Sequence, residues 1–204
     1  QMLYITNVDG SGIKALTTDA KSETDASWIA NGTKLAFLRE GEIWTMDANG
    51  ENRKKLSDTE GAIEGYKFSP DGKKVILLKS LDYHGTIKKN PSDLPLATGR
   101  LVTDMNYRHW DHYVEQISHA FVADVTENGI ANVVDILKGE PYECPLAPFG
   151  GIEQLDWSID SKLVAYTCRK KEGVDYAIST DADIYIYNVE TKRTRNLCKP
   201  EGYK

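Results

Sequence analysis

Three stretches of this chain repeat one short unit, in which an aromatic residue precedes a tight polar turn that launches an apolar strand. They are Trp28-Ile29-Ala30-Asn31-Gly32-Thr33 before Lys34-Leu35-Ala36-Phe37, Phe68-Ser69-Pro70-Asp71-Gly72-Lys73 before Lys74-Val75-Ile76-Leu77, and Trp157-Ser158-Ile159-Asp160-Ser161-Lys162 before Leu163-Val164-Ala165-Tyr166. A recurring unit of this size cannot bury its apolar face alone, so each copy must stack on the next. The repeat therefore constrains the architecture before any single residue is interpreted.

The second half of each unit is as regular as the first. Glu42-Ile43-Trp44-Thr45-Met46-Asp47 leads through Ala48-Asn49-Gly50 to Arg53-Lys54-Lys55-Leu56, and Asp183 to Val189 leads through Glu190-Thr191-Lys192 to Thr194-Arg195-Asn196-Leu197. Phe121 to Val125 turns near Asn128-Gly129 into Val133-Val134-Asp135-Ile136. The N-terminus supplies this half alone, as Leu3 to Val8, the turn Asp9-Gly10-Ser11-Gly12, and Ile13 to Leu16. Four short strands joined by Asx-Gly turns predict β-propeller blades. Leu16 and Leu56 lie 40 residues apart, within the roughly 40 to 50 of a blade, whereas the 80 from Leu56 to Ile136 hold an insertion and the 61 from Ile136 to Leu197 a modest loop.

The expected fold class is all-β, a partial (open) β-propeller of about three and a half four-stranded blades with one long inserted loop. The reading divides the single propeller portion into a half blade over 1–17 and blades over 27–57, 66–137 and 155–198, with the insertion at 83–119. Propellers close with about four to eight blades, so unpaired edges and apolar blade faces are expected at the two ends, together with association through them. Trp28, Trp44 and Trp157 are expected to fill the gaps between blades. Along Ile184-Tyr185-Ile186-Tyr187, strand alternation should bury one set and expose the other.

Composition excludes several functions. A formal charge of −6 with no basic stripe argues against nucleic acid or an anionic membrane as the main partner. The apolar runs are only a few residues long, Val75-Ile76-Leu77-Leu78 being typical, so no membrane span is expected. Cys144, Cys168 and Cys198 match no zinc spacing and suit inert buried or half-buried thiols; a Cys168 to Cys198 bridge stays open. No Gly-x-Ser-x-Gly elbow, P-loop, dinucleotide fingerprint or His-Glu-x-x-His occurs. The chain is thus expected to carry no catalytic residue of its own, no cofactor and no metal.

The insertion is the least generic segment. It holds or borders all four histidines, His84, His109, His112 and His119, and ends in Tyr107-Arg108-His109-Trp110-Asp111-His112-Tyr113. His109, Asp111 and His112 offer metal donors within four residues, but they diverge on either a helix or a strand, and a structured loop explains them better. Arg108, Trp110 and Asp111 suit a rigid polar node facing a ligand or a neighbouring domain. They also suit an internal ion pair that merely pins the loop onto its blade, and the sequence favours that reading over direct ligand contact.

Phe68-Ser69-Pro70-Asp71-Gly72-Lys73 resembles the propeller repeat shared by TolB proteins and the N-terminal domains of the prolyl oligopeptidase family. Tyr107-Arg108-His109-Trp110-Asp111 followed by His119-Ala120-Phe121-Val122-Ala123-Asp124-Val125 resembles the Arg-x-Trp-Asp and His-x-Phe-Val stretch of the acylaminoacyl-peptidase and dipeptidyl-peptidase branch, and Trp157-Ser158 with Ser179 to Tyr185 resembles the next blade. The resemblance implies a propeller partnered by an α/β-hydrolase domain of the same parent protein, whose Ser, Asp and His hydrolyse short or N-terminally blocked peptides through an acyl-enzyme. It implies that the propeller gates access and helps to recognise the peptide, with Arg108, Trp110 and Asp111 as substrate-binding candidates, and it favours a periplasmic or exported parent. The alternative is a TolB-like scaffold for protein–protein interaction with no enzymatic domain.

Overall fold

A computed structural model describes residues 1–83, 86–87, 96–97, 101–102 and 114–198. The described residues form sixteen strands, two short 3₁₀ turns and a single α-helix. The first antiparallel pair is β1 (Tyr4–Ile5) with β2 (Lys14–Ala15). A four-stranded antiparallel sheet follows in sequential order, β3 (Glu23–Ile29), β4 (Lys34–Arg39), β5 (Glu42–Asp47) and β6 (Lys54–Lys55). The next is made of β7 (Gly65–Phe68), β8 (Lys74–Asp82), β11 (Gln116–Thr126) and β12 (Gly129–Asp135), again side by side in chain order. Its two middle strands are separated in sequence by the insertion, where β9 (Thr86–Ile87) pairs with β10 (Leu101–Val102). The last sheet runs β13 (Leu155–Trp157), β14 (Leu163–Cys168), β15 (Asp183–Asn188) and β16 (Arg193–Asn196).

The polar turn between first and second strands is built by its own side chains. Ser69 Oγ donates to Asp71 Oδ1 at 2.7 Å and accepts from the Lys74 amide at 2.9 Å, while the Asp71 carboxylate accepts from the Lys73 amide at 3.0 Å. Ser158 and Asp160 repeat the pattern, at 2.6 Å between them, 2.9 Å from the Leu163 amide and 3.2 Å from the Lys162 amide. Gly72 takes φ +70° in this turn and Ser161, its counterpart, φ +61°. A left-handed residue is thus a requirement of the turn, and glycine meets it without a Cβ penalty. The first copy departs from this, with Ala30 and Asn31 both left-handed in a 3₁₀ turn closed by Thr33 Oγ1 on the Ala30 carbonyl at 2.8 Å.

The third and fourth strands also repeat at the level of single hydrogen bonds. The Leu16 amide donates to the Leu3 carbonyl, the Leu56 amide to Ile43 and the Leu197 amide to Ile184, each at 2.8 Å. The two-stranded β1–β2 pair is therefore the counterpart of β5–β6 and β15–β16.

The chain divides into two compact units, residues 1–79 with 122–134, and residues 80–121 with 135–204. In the first, Leu16, Leu35, Phe37 and Met46 form a buried cluster against which Leu3, Ile5 and Trp44 pack. In the second, Val164, Tyr166 and Cys168 alternate inward along β14 and meet Tyr185 and Tyr187 of β15, leaving Ile184 41% exposed. Tyr166 and Tyr185, cross-strand partners, stack with centroids 5.5 Å apart. Rings stacked in this way stabilise by about 0.5–1.5 kcal/mol beyond the area they bury.

Two features differ from the sequence reading. Trp157 is 8% exposed and Trp44 half-buried, but Trp28 is 54% exposed, so the expected packing role fails for Trp28. The helix α1 (Gly173–Ile178) was not anticipated; it is anchored by Tyr176, 2% exposed, and its surrounding polar residues carry too weak a periodicity to announce six helical positions.

Candidate functional site

The connection between second and third strands varies most in length from one unit to the next. Between β4 and β5 it is the two residues Glu40-Gly41; between β14 and β15 it is residues 169–182, which include α1; between β8 and β11 it is the insertion. Long connections carried by a rigid scaffold hold a disproportionate share of binding residues in proteins generally.

Arg108, Trp110 and Asp111 lie outside the described residues, as do His84, His109 and His112. The base from which the insertion leaves is described. Tyr83, Val114 and Ile117 form a buried apolar cluster, the Tyr83 amide donates to the Glu115 carbonyl at 2.9 Å, and Gln116 Nε2 donates to Asp82 Oδ1 at 3.1 Å. Both ends of the excursion are thereby clamped together. Strand β11 begins at Gln116, so His119 is a strand residue and not part of a loop.

At the corresponding end of the last sheet, Lys170 is the centre of a charged and aromatic cluster. Its ammonium lies 2.5 Å from Glu140 Oε2, 4.5 Å from the Tyr185 ring centroid and 5.9 Å from that of Tyr142. A cation over aromatic faces is stabilised by their quadrupoles, and partial burial strengthens its pair with the carboxylate. Arg169 sits 4.7 Å from the Tyr176 ring and donates to the Tyr176 carbonyl at 3.4 Å. Asn196 Nδ2 donates to Asp183 Oδ2 at 2.6 Å, and Lys171 pairs with Asp181 at 3.4 Å. Tyr185 was read only by its strand alternation, and Glu140, Tyr142, Arg169 and Lys170 were not singled out in the sequence. The only signal was the run Arg169-Lys170-Lys171-Glu172, which reads as solvated charge until the fold sets Glu140 and the tyrosines around it.

His119 Nδ1 faces the Asp135 carboxylate at 3.0 and 3.2 Å, the arrangement of a histidine and its orienting acid. Its Nε2 is buried and has no hydrogen-bond partner, so no hydroxyl or thiol is presented to it as a nucleophile. The three cysteines are free. Burial pushes the Cys168 thiol up to about 12 and that of Cys144 well above its usual value, so neither supplies a thiolate at neutral pH. Burial likewise raises Tyr185, with the Asp183 charge adding to it, and raises Tyr142 with help from Glu172 and Glu140. No group of three His, Cys, Asp or Glu side chains among the described residues is placed to hold a metal, and no helix there is long and apolar enough to cross a membrane. The arrangement can bind through charge, hydrogen bonds and aromatic faces.

No protein-family model matches the chain. It is 44% identical over 199 residues to dipeptidyl-peptidase 5 of Porphyromonas gingivalis and 36% identical over 199 residues to that of Porphyromonas endodontalis, alignments that take in 96% of this chain. The chain spans 29% of the length of these relatives. Among solved structures it superposes on the acylaminoacyl peptidase of Pyrococcus horikoshii with a TM-score of 0.59 at 14% identity, over 96% of this chain and 27% of that one. It superposes on TolB of Agrobacterium tumefaciens with a TM-score of 0.53 at 11% identity, over 97% of this chain and 56% of that one. The motif resemblance to the dipeptidyl-peptidase branch is borne out by the sequence relatives, and the structural likeness establishes the fold. Over this span the chain is a homologue of proteins named dipeptidyl-peptidase 5, and its fold is an open β-propeller of the kind found in TolB and in acylaminoacyl peptidase.

Proposed function

We propose that this chain is the non-catalytic propeller portion of a serine peptidase that acts on short peptides, where it gates access and helps to recognise the peptide. The observation that carries the reading is the 44% identity to dipeptidyl-peptidase 5 over nearly the whole chain, combined with a share of only 29% of that relative's length. The suppressed thiols and the unaccompanied His119–Asp135 pair support assigning the chemistry elsewhere, to an α/β-hydrolase domain of the same parent protein.

In this reading the long second-to-third-strand connections meet the peptide. Arg108, Trp110 and Asp111 of the insertion are its first contacts, and the Lys170 cluster is a second polar and aromatic surface of the same kind. A TolB-like scaffold with no enzymatic domain shares the fold but only 11% identity, against 44% for the peptidase relative.

The test is hydrolysis by the polypeptide of the complete open reading frame. Chromogenic dipeptide substrates with free and with acylated amino termini are supplied, with and without a serine-directed phosphonofluoridate. Release of chromophore that the reagent abolishes supports the proposal. A polypeptide that folds, carries no Gly-x-Ser-x-Gly elbow and cleaves neither substrate overturns it.

A further inference from the structure

The last strands of the sheets can be aligned residue by residue. The Leu16, Leu56 and Leu197 amides donate to the Leu3, Ile43 and Ile184 carbonyls, and in the middle sheet the Ile136 amide donates to the Ala120 carbonyl at 3.1 Å. Two residues before each of these donors stand Lys14, Lys54, Arg195 and Val134. A cation occupies the position in every unit but the middle one, where an apolar side chain replaces it. The neighbours follow the same division. Strand β6 is Lys54–Lys55, both exposed, and β16 carries Arg193 and Arg195, whereas β12 holds no Lys or Arg in its seven residues. Val134 is half-buried and Val133 is 40% exposed.

Strand β12 ends its sheet and is bonded to β11 on one side only. In an antiparallel ladder, successive residues direct their backbone groups alternately to the two sides. Ile136 donates toward β11, so Val134 faces β11 as well, and Val133 and Asp135 direct their amides and carbonyls outward. Asn132, left-handed at φ +52°, interrupts the alternation, and beyond it the Ile130 amide is taken by the Leu56 carbonyl at 3.2 Å. The open stretch is therefore Val133–Asp135. The Asp135 carboxylate is held on its own sheet by His119 and by the Leu137 amide at 2.8 Å.

Lys and Arg on an edge strand keep copies of a chain apart, because antiparallel pairing of two identical edges sets like charges opposite one another. A two-fold axis through the aligned position would oppose Lys54 to Lys54 on β6 and Arg195 to Arg195 on β16. On β12 it opposes Val134 to Val134. Val133 of one copy then exchanges both backbone bonds with Asp135 of the other, and the exposed Val133 side chains are drawn into the contact. A basic edge suits an acidic strand of another protein; the uncharged edge of β12 is complementary to itself.

We propose that Val133–Asp135 of β12 is a self-association edge, at which two copies of this chain pair antiparallel about a two-fold axis through Val134 and join their middle sheets into one. The inference goes beyond the peptidase reading and does not depend on it.

Sedimentation velocity and hydrogen exchange on the polypeptide of the complete reading frame test it. Over about a hundredfold range of concentration, the sedimenting species should pass from monomer to dimer. Exchange of the Val133 and Asp135 amides should slow about tenfold or more over the same range. Val134→Lys, which restores the cation of the other units, should abolish both effects and leave the melting temperature unchanged. A monomer at every concentration overturns the proposal, as does a dimer in which the Val133 and Asp135 amides still exchange fast. A dimer that survives Val134→Lys in a folded protein overturns it too. Protection of Val133 and Asp135 that does not vary with concentration also overturns it, because the edge would then be covered by the same polypeptide. The exchange measurement on the unsubstituted protein decides the matter even where Val134→Lys fails to fold.

Discussion

Trp28 and Trp157 occupy the same place in the repeat but not the same environment, and replacing each by alanine isolates what burial contributes. A tryptophan carries up to about 250 Å² of surface. At 8% exposure Trp157 removes about 230 Å² from water, and at 54% Trp28 removes about 115 Å². At about 25 cal/mol per Å² these areas correspond to about 6 and 3 kcal/mol as upper bounds. A compact unfolded chain already hides part of that surface, which reduces them to about 4 and 2 kcal/mol. The first value falls in the range of about 3–5 kcal/mol measured for large aromatic deletions in cores. Trp157→Ala should therefore destabilise the chain by about 2 kcal/mol more than Trp28→Ala. Urea unfolding followed by circular dichroism at 25 °C reads the difference from the shift in midpoint at constant slope. Equal losses, or a larger loss for Trp28→Ala, would refute the claim that the repeat position is buried in one unit and uncovered in the other.

Other expectations follow from single contacts. Tyr66 is 6% exposed and its hydroxyl bonds the Asp25 carbonyl at 2.6 Å and Ser27 Oγ at 3.0 Å, holding the bulge of β3; Tyr66→Phe should cost about 1–2 kcal/mol in the same denaturation assay. Gly72→Val should cost about 1–3 kcal/mol through backbone strain alone, since a Cβ there meets nothing within 4 Å, and Gly72→Asn should recover most of it. The Lys74 ammonium, 2.6 Å from Asp124, holds that carboxyl below its ordinary value, with Asn132 assisting. A carboxylate depressed by folding stabilises above its unfolded value of 3.8, and that contribution is lost as pH falls through the lower folded value. Lys74→Met should then lower stability at pH 6 and converge with the parent chain below about pH 3, as followed by acid-dependent melting. Of the three thiols, Cys198 alone should react with a disulfide reagent in the folded protein at pH 8, and rapid modification of Cys144 or Cys168 would contradict their burial.

Much of the blade was legible in the chain because its determinants are local. Ser-x-Asp-Gly and Ser-x-Asp-Ser specify their turns through bonds among neighbouring residues, and the alternation of Ile184, Tyr185, Ile186 and Tyr187 assigns faces by the period of the strand itself. The candidate site was far less legible. Lys170 was unremarkable among neighbouring charges, and it became the centre of a cluster only when Glu140, thirty residues earlier, and Tyr185, beyond a helix, were folded against it. His119 read as part of a loop and proved to be a strand residue paired with Asp135.

By itself the sequence determined the repeat, the four-strand unit, the absence of a nucleophile elbow and the likeness to peptidase propellers, all of which reside in short spans and in their order. Only the tertiary structure decided that Trp28 is open while Trp157 is covered, and that Cys144 and Cys168 are silenced. The physical reason is that a side chain's environment depends on which neighbouring strand covers it. A repeat specifies each strand's own form but not whether that neighbour is there.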